Sequence, residues 1–360
     1  MEGAPRTPTM AEIAAEVGVS KMTVSLAFRG SERVSESTRE KVLQAADRLG
    51  YRPNPMVQTL MANLRATRKV ELHSVIAWIT AFDTEDGWAD TEVFQEYFKG
   101  AVRRAMHLGY RVEPFWARAK GMTGKRLSEI LRARGINGVI IPPVPSSLKK
   151  LDMNWSQFAS ATIGYSFQQP ALHRVAANLS EAMFIAIAKC EKAGYERIGF
   201  VIPEETDSRV NHGWMSAFLS WQRFIPKKNL VPMMYVERPI KIEDRLGPWL
   251  KKHRPDVVIA VNNELLEWLP DLFSIRVPED VGLVFLAKRY SEKECKAVTG
   301  VNQRDAAVGA SAVDMVVAQM QRNEIGLPEH PNVILSSGVW EDGNTTRGTS
   351  TPAQSVSGGS

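Results

Sequence analysis

Within VSKMTVSLAFRG, residues 19–30, two hydroxyl residues, Ser20 and Thr23, flank Lys21 and Met22, with Ser25 close behind. Residues of these types at the start of a short helix can read DNA. Serine and threonine hydroxyls donate to phosphate oxygens, which fix a protein's register on the duplex. Lysine donates to guanine O6 and N7, and methionine offers apolar contact to a thymine methyl. Ser20 is equally a good N-cap, because its oxygen can accept an unpaired backbone N–H of the first helical turn. A capped surface helix with no partner would therefore show the same residues, and the neighbouring elements decide between the two readings.

Upstream, Thr9 and Glu12 have capping-box spacing, and Met10, Ile13, Ala14 and Val17 recur at helical spacing, which predicts a helix over about 10–17. Gly18 can take the left-handed angle that ends it, and Val19 supplies an apolar side chain at the corner. Ser20 then caps a second helix that turns Val24, Ala27 and Phe28 toward the first and stops at Gly30. Two short helices joined by a tight glycine turn make a helix-turn-helix, whose second helix enters the DNA major groove by its N-terminal end. A third helix is expected after Ser35, carrying Val42, Ala45, Ala46 and Leu49 inward until Gly50. Residues 8–53 are thus expected to form one small DNA-binding domain.

The segment YRPNPMVQTLMANLRATRK follows, with Asn54 as N-cap, Pro55 at the first helical position, and Met56, Val57, Leu60, Met61 and Leu64 as an apolar stripe. An isolated helix of about ten residues is marginal in water. It is expected to order by pairing with a second copy on DNA, where a leucine can wedge into the minor groove. The alternative is a linker helix packed on the next domain. Charge favours DNA: residues 1–72 hold eleven Lys and Arg against eight acids, three of the chain's net +5, and no acid stands between 54 and 70.

Taken together, EIAAEVGVSKMTVSLAFRGSERVSESTREKVLQAADRLGYRPNPMVQTLMANLR resembles the DNA-binding head and hinge of the LacI/GalR family of bacterial transcription regulators. The resemblance implies that Lys21 and Met22 read bases, that Ser20, Thr23 and Ser25 touch phosphates, and that Leu60 wedges into the minor groove. Thr9, Arg29 and Asn54 complete the expected DNA-binding set. The chain departs from the family at Leu26, where many members have a base-reading arginine, and at Arg29, where asparagine is usual.

From about residue 73 the pattern becomes strand then helix, repeated. VIAWITAF, YRVEPFWA, GVIIPP, ATIGYSF, RIGFVIP, LVPMMYV, VVIAVNN and VGLVFLA read as strands, with amphipathic stretches such as FQEYFKGAVRRAMHLG and AMFIAIAKCEKAG between them. Alternation of this kind builds parallel sheets covered by helices, with ligands bound outside the carboxyl ends of strands. The fold expected is an all-α helix-turn-helix head plus hinge helix, then an α/β periplasmic-binding-protein-like domain of two doubly wound parallel-sheet subdomains. The family resemblance runs to about residue 346. It implies a hinge and linker over 54–72 and an effector-binding and dimerisation domain over 73–346 with crossovers near 176, 302 and 333, while the small, polar residues of GTSTPAQSVSGGS read as a disordered tail over 347–360.

The resemblance also implies a ligand site between the subdomains. Phe94, Asn262 and Gln303 match the family's pattern. Val210 occupies the slot of a ligand-binding arginine; its neighbour Arg209 points elsewhere if the backbone register is kept, yet with Lys288 it can stand near the cleft and is counted in the expected effector-binding set. Asn263 stands for one family aspartate, and Ala287 with Lys288 for a later acid pair. Carboxylates are what sugar hydroxyls usually donate to, so these losses shift the expectation toward an anionic ligand or a sugar derivative. Trp88 could stack on it. The alternative is a cleft that has lost its effector, in a domain kept for dimerisation.

Other classes fare worse. The chain has no G-x-G-x-x-G or H-E-x-x-H, and GMTGKRLS lacks the first phosphate-loop glycine and places Arg126 where Ser or Thr should bind magnesium. That stretch reads as a solvated helix start. Neither an enzyme nor a cofactor is therefore expected. A free sugar-binding protein would have no use for residues 1–64. Cys190 and Cys295 belong to no metal-type cluster, the longest apolar runs are far below a membrane span, and the opening residues lack a signal-peptide pattern. The expectation is a cytoplasmic, homodimeric, operator-binding regulator, by family habit a repressor, with a small-molecule effector as its second partner.

Overall fold

A computed structural model describes residues 9–28, 34–49, 74–145, 147–148, 150–237, 241–261, 264–287 and 298–348, apart from the side chains of Met22, Ser25 and Glu243. Three helices form the head: α1 Met10–Val17, α2 Lys21–Phe28 and α3 Glu36–Leu49. They bury Ile13, Ala14, Val24, Ala27, Val34, Val42, Ala45 and Ala46 in one small core, with Leu26 and Phe28 packed at its margin. Met10 and Leu49 do not join it, contrary to the periodicity. Each is the end residue of its helix, reaches past a core this small, and is more than a third exposed. Arg48 instead ties the end of α3 to α1 through Glu16, at 2.7 Å.

Beyond the head lie two lobes, each built on a six-stranded sheet. The first contains β1 Ser74–Thr80, β2 Tyr110–Trp116, β3 Gly138–Ile141, β4 Ala159–Ile163, β5 His173–Ala177 and β11 Val333–Ser336, in the order β11-β5-β4-β3-β1-β2. The second contains β6 Ile198–Pro203, β7 Met234–Val236, β8 Val257–Ala260, β9 Gly282–Phe285, β10 Gly300–Asn302 and β12 Val339–Glu341, in the order β12-β10-β9-β8-β6-β7. The pairing is parallel throughout except between β10 and β12. Strands β5, β10, β11 and β12 were not among the apolar runs. They are only three to five residues long, and even the apolar β11, VILS, is too short to stand out as a strand.

Alternate residues of a strand point to opposite faces, and a sheet covered on both faces therefore reads as one apolar run. In β1, Ile76 and Trp78 face α4 Glu92–His107 and α11 Asp305–Arg322, while Ala77 and Ile79 face α5 Gly124–Ala133. In β8, Val257 and Ile259 pack on α6 Leu179–Lys192 and α8 Gly213–Gln222. Val258 and Ala260 pack on α9 Ile242–His253 and α10 Leu265–Phe273. The chain passes between lobes after β5, after β10 and between β11 and β12. The first and third passages are tied where the Asn178 amide donates to the Ser336 carbonyl at 2.8 Å.

Two glycines set how closely α4 and α11 approach. A Cβ at Gly100 would lie 1.9 Å from the Ala306 carbonyl oxygen, and one at Gly309 would lie 1.9 Å from that of Tyr97. Of the expected tail, only residues 347 and 348 are described. Thr345 is buried against β9, and the Arg347 amide donates to the Tyr195 hydroxyl at 2.8 Å.

Candidate nucleic-acid interface and inter-lobe cleft

Thr9 caps α1: its amide donates to the Glu12 carboxylate at 2.6 Å and its hydroxyl at 3.2 Å. Gly18 ends the helix with φ 74°. Ser20 caps α2 in turn, accepting from the Thr23 amide at 3.0 Å, and its oxygen lies 2.8 Å from the Thr23 hydroxyl. In that pair one hydroxyl proton is spent between the two residues and the other is free for a phosphate. The first N–H groups of α2 add to it, since a helix N-terminus is itself an anion site. Lys21 is exposed at the first position of α2. Thr9, Ser20, Lys21 and Thr23 are thus all at or near the N-terminal ends of α1 and α2. Met22 and Ser25 lie on α2, their side chains outside the described residues, as are Arg29, Asn54 and Leu60 with the hinge reading.

The second site is the gap between the carboxyl ends of the two sheets. From the first lobe come Phe82 after β1, the 83–91 loop, and Phe94 and Tyr97 on the first turns of α4. Phe94 lies 5.9 Å from Phe82 and 6.4 Å from Tyr97 between ring centroids. From the second lobe comes α7 Glu204–Arg209, directly after β6. Its last residue, Arg209, holds its guanidinium 5.8 Å from the centre of the Phe94 ring. Of the two directions open to Arg209, its side chain takes the one across the gap. The end of a short helix leaves its side chain free to swing across the gap, and the ring face attracts the cation.

Trp88 lies in the 83–91 loop with its ring edge-on to Phe98 at 4.9 Å, half-buried against the first lobe. Gln303, at the second passage between lobes, is buried. Its amide nitrogen donates to the Leu286 carbonyl at the end of β9, and its side-chain oxygen has no partner among the described residues. Asn262, Asn263 and Lys288 lie outside the described residues, although β8 and β9 end just before them.

Several residues around the cleft, Phe82 and Tyr97 among them, were not singled out from sequence. Tyr165, after β4, packs against the second lobe's core and lies 5.3 Å under the Arg174 guanidinium. Its place at the carboxyl end of the strand in ATIGYSF was the available signal. Asp207, on α7, is fully buried and takes a 2.6 Å hydrogen bond with Nδ1 of His212, and its other oxygen has no partner among the described residues. No spacing in DSRVNHG announces that pair.

Among the described residues no group of His, Cys, Asp and Glu converges as a metal site requires, and no helix is long and apolar enough to cross a membrane.

Residues 9–54 match the family described as bacterial regulatory proteins, lacI family. Over most of its length the chain is similar to the NTD biosynthesis operon regulator NtdR of Bacillus subtilis (strain 168). The two are 21% identical over 294 residues, which is 77% of this chain and 82% of the relative. Among solved structures, a Lac repressor dimer bound to operator and the anti-inducer ONPF superposes with a TM-score of 0.53 at 16% identity, covering 95% of this chain and 100% of that one. A complex of the transcriptional regulator CelR with cellobiose gives 0.52 at 20% identity, over 94% of this chain and 99% of that one. Those identities establish the fold. With the head matched in sequence and that fold spanning the chain, the comparisons support a LacI-family DNA-binding transcription regulator.

Proposed function

We propose that this chain is a homodimeric repressor that binds a pseudo-palindromic operator and is modulated by a small metabolite held between its lobes. The observation that carries the reading is the N-terminal end of α2. There an exposed lysine, a hydroxyl pair and unpaired backbone N–H groups meet on a helix presented by a glycine turn. Lys21 and Met22 are the base readers, Ser20, Thr23 and Ser25 the phosphate contacts, with Thr9, Arg29 and Asn54 flanking them. The hinge stripe around Leu60 is proposed to order against its copy on DNA. A relative's structure as a dimer on its operator supports the assembly. The test is genome-wide footprinting followed by binding of the recovered site at several salt concentrations. Paired half-sites with affinity falling steeply with salt are expected, because each neutralised phosphate releases a counterion. Sites without dyad symmetry would overturn the dimeric reading.

For the effector, Phe94, Gln303 and Arg209, with Asn262, Asn263, Lys288 and Trp88 from the flanking loops, form the proposed set. An aromatic wall suits the apolar face of a ring, and Arg209, which has no carboxylate partner among the described residues, suits an anionic substituent. A solved structure of the same fold is a complex of a regulator with cellobiose, which supports a sugar-like ligand. A second reading is favoured by the Arg209 to Phe94 contact itself: it fills the gap, as a site that has lost its effector would. A thermal-shift panel of neutral sugars, sugar acids and sugar phosphates on wild type and Arg209→Ala separates them. Stabilisation by an anionic sugar that is lost in the variant is expected, and no shift with any compound supports the second reading.

A further inference from the structure

We propose that the outer side of the second lobe holds a second, separate binding site, specific for a small ring compound bearing a carboxylate or phosphate. It is a cavity of about 290 Å³ between the C-terminal half of α6 and the last described residues of the chain, lined by Lys189, Tyr195, Trp340, Asp342 and Arg347 among others. Its volume equals that of about ten waters at ~30 Å³ each, the lower end of small-molecule pockets.

Both cations rest on aromatic rings. Lys189 Nζ is 5.7 Å from the centre of Trp340, and the Arg347 guanidinium is 4.9 Å from that of Tyr195. Neither has a carboxylate partner among the described residues, and the carboxylate at hand, Asp342, accepts from the Trp340 indole N–H at 2.7 Å. Asp342 offsets one of the two cations that line the cavity, which leaves one positive charge for the acid group of a ligand. The rings beneath them offer the flat apolar surface on which a ring lies.

The walls are already ordered. The Thr345 hydroxyl donates to the Leu283 carbonyl at 2.8 Å and accepts from the Thr299 amide at 2.9 Å, and the Leu283 amide donates to the Thr345 carbonyl at 2.7 Å. Those bonds, with the 2.8 Å bond from the Arg347 amide to the Tyr195 hydroxyl, hold the strap that carries Arg347. A ligand thus meets a preformed site and bears little ordering cost. The site is also placed to act on the hinge, since α6 starts directly after the first passage between lobes and β12 directly after the third.

The test is calorimetric titration of the full chain with phenyl phosphate, benzoate, inorganic phosphate and benzyl alcohol, repeated on Lys189→Gln, Arg347→Gln and the cleft variant Arg209→Gln. A ring anion is expected to bind, at least about tenfold more weakly to either pocket variant, as loss of one charge-assisted hydrogen bond implies. Arg209→Gln should remove only heat that belongs to the cleft and leave in place the binding step that Lys189→Gln and Arg347→Gln weaken, inorganic phosphate should bind more weakly than phenyl phosphate, and benzyl alcohol should give no heat at that step. Which of phenyl phosphate and benzoate binds tighter identifies the acid group. The proposal is overturned if neither anion binds up to about 10 mM, if the pocket variants bind as wild type does, or if Arg209→Gln abolishes binding, which would place the anion in the cleft.

Discussion

The guanidinium of Arg209 lies 5.8 Å from the centre of the Phe94 ring, and the two residues belong to different lobes. Arg209 ends α7 on the second sheet, and Phe94 stands in the first turn of α4 on the first. This contact bridges the gap between the two lobes. A cation over a ring is worth about 0.5–2 kcal/mol depending on its exposure. A double-mutant cycle of Arg209→Gln and Phe94→Leu, followed by chemical denaturation, should give a coupling of about 0.5–1 kcal/mol. Additive effects would show that the contact does not hold the lobes together.

At the head, Ser20→Ala and Lys21→Ala should separate stability from recognition. Ser20 accepts from the Thr23 amide, so its loss should cost the isolated head about 1 kcal/mol. Lys21 is exposed and fills no core. Its loss should leave the melting temperature unchanged and relax preference at one base pair per half-site by about 1–3 kcal/mol. Equal weakening on all DNA sequences would mean that Lys21 touches phosphate alone.

The Asp305 carboxyl, in the first turn of α11, is pushed up to about 7 by burial, with Glu96 and Glu92 adding to the rise against a hydrogen bond from the Tyr97 hydroxyl. Its folded pKa lies above the ordinary 3.8, so the folded chain keeps a proton that the unfolded chain releases. The resulting stability is full below about pH 4 and is lost as pH rises through about 7. Asp305→Asn should therefore stabilise the body by about 1–3 kcal/mol at pH ~8, with the gain shrinking toward pH ~4. Melting curves across that range test it, and a gain independent of pH would assign the effect to packing.

Gly100→Ala and Gly309→Ala should each destabilise the first lobe by about 1–3 kcal/mol or more, because the added methyl meets a backbone carbonyl that cannot turn aside. Chemical denaturation measures it. Unchanged stability in both would mean that α4 and α11 separate freely.

His212→Ala should leave the Asp207 carboxylate buried beside no donor, at a cost of about 1–3 kcal/mol. Adding Asp207→Ala should recover part of that loss, since it removes the stranded group. A double variant as unstable as the sum of the single ones would show that the pair is not coupled.

The head was legible in the sequence almost to the residue. Its determinants are local: the Thr9 to Glu12 box, the left-handed Gly18, the Ser20 cap and an apolar face repeating at helical spacing. The two covered sheets were legible for a similar reason, since strands buried on both faces must be apolar at every position. Met10 and Leu49 escaped because periodicity does not say where a small core ends. The body's sites were decided only in three dimensions. Arg209 and Phe94 meet because three passages of the chain bring the carboxyl ends of two sheets together, and which way the last side chain of a short helix swings depends on what faces it. Likewise Lys189 and Arg347, distant in the chain, line one cavity because Thr345 pins the final strap to β9, and Asp305 is pushed up because α4 closes over it. Caps and periods act over a few residues, whereas desolvation and charge proximity depend on the whole fold.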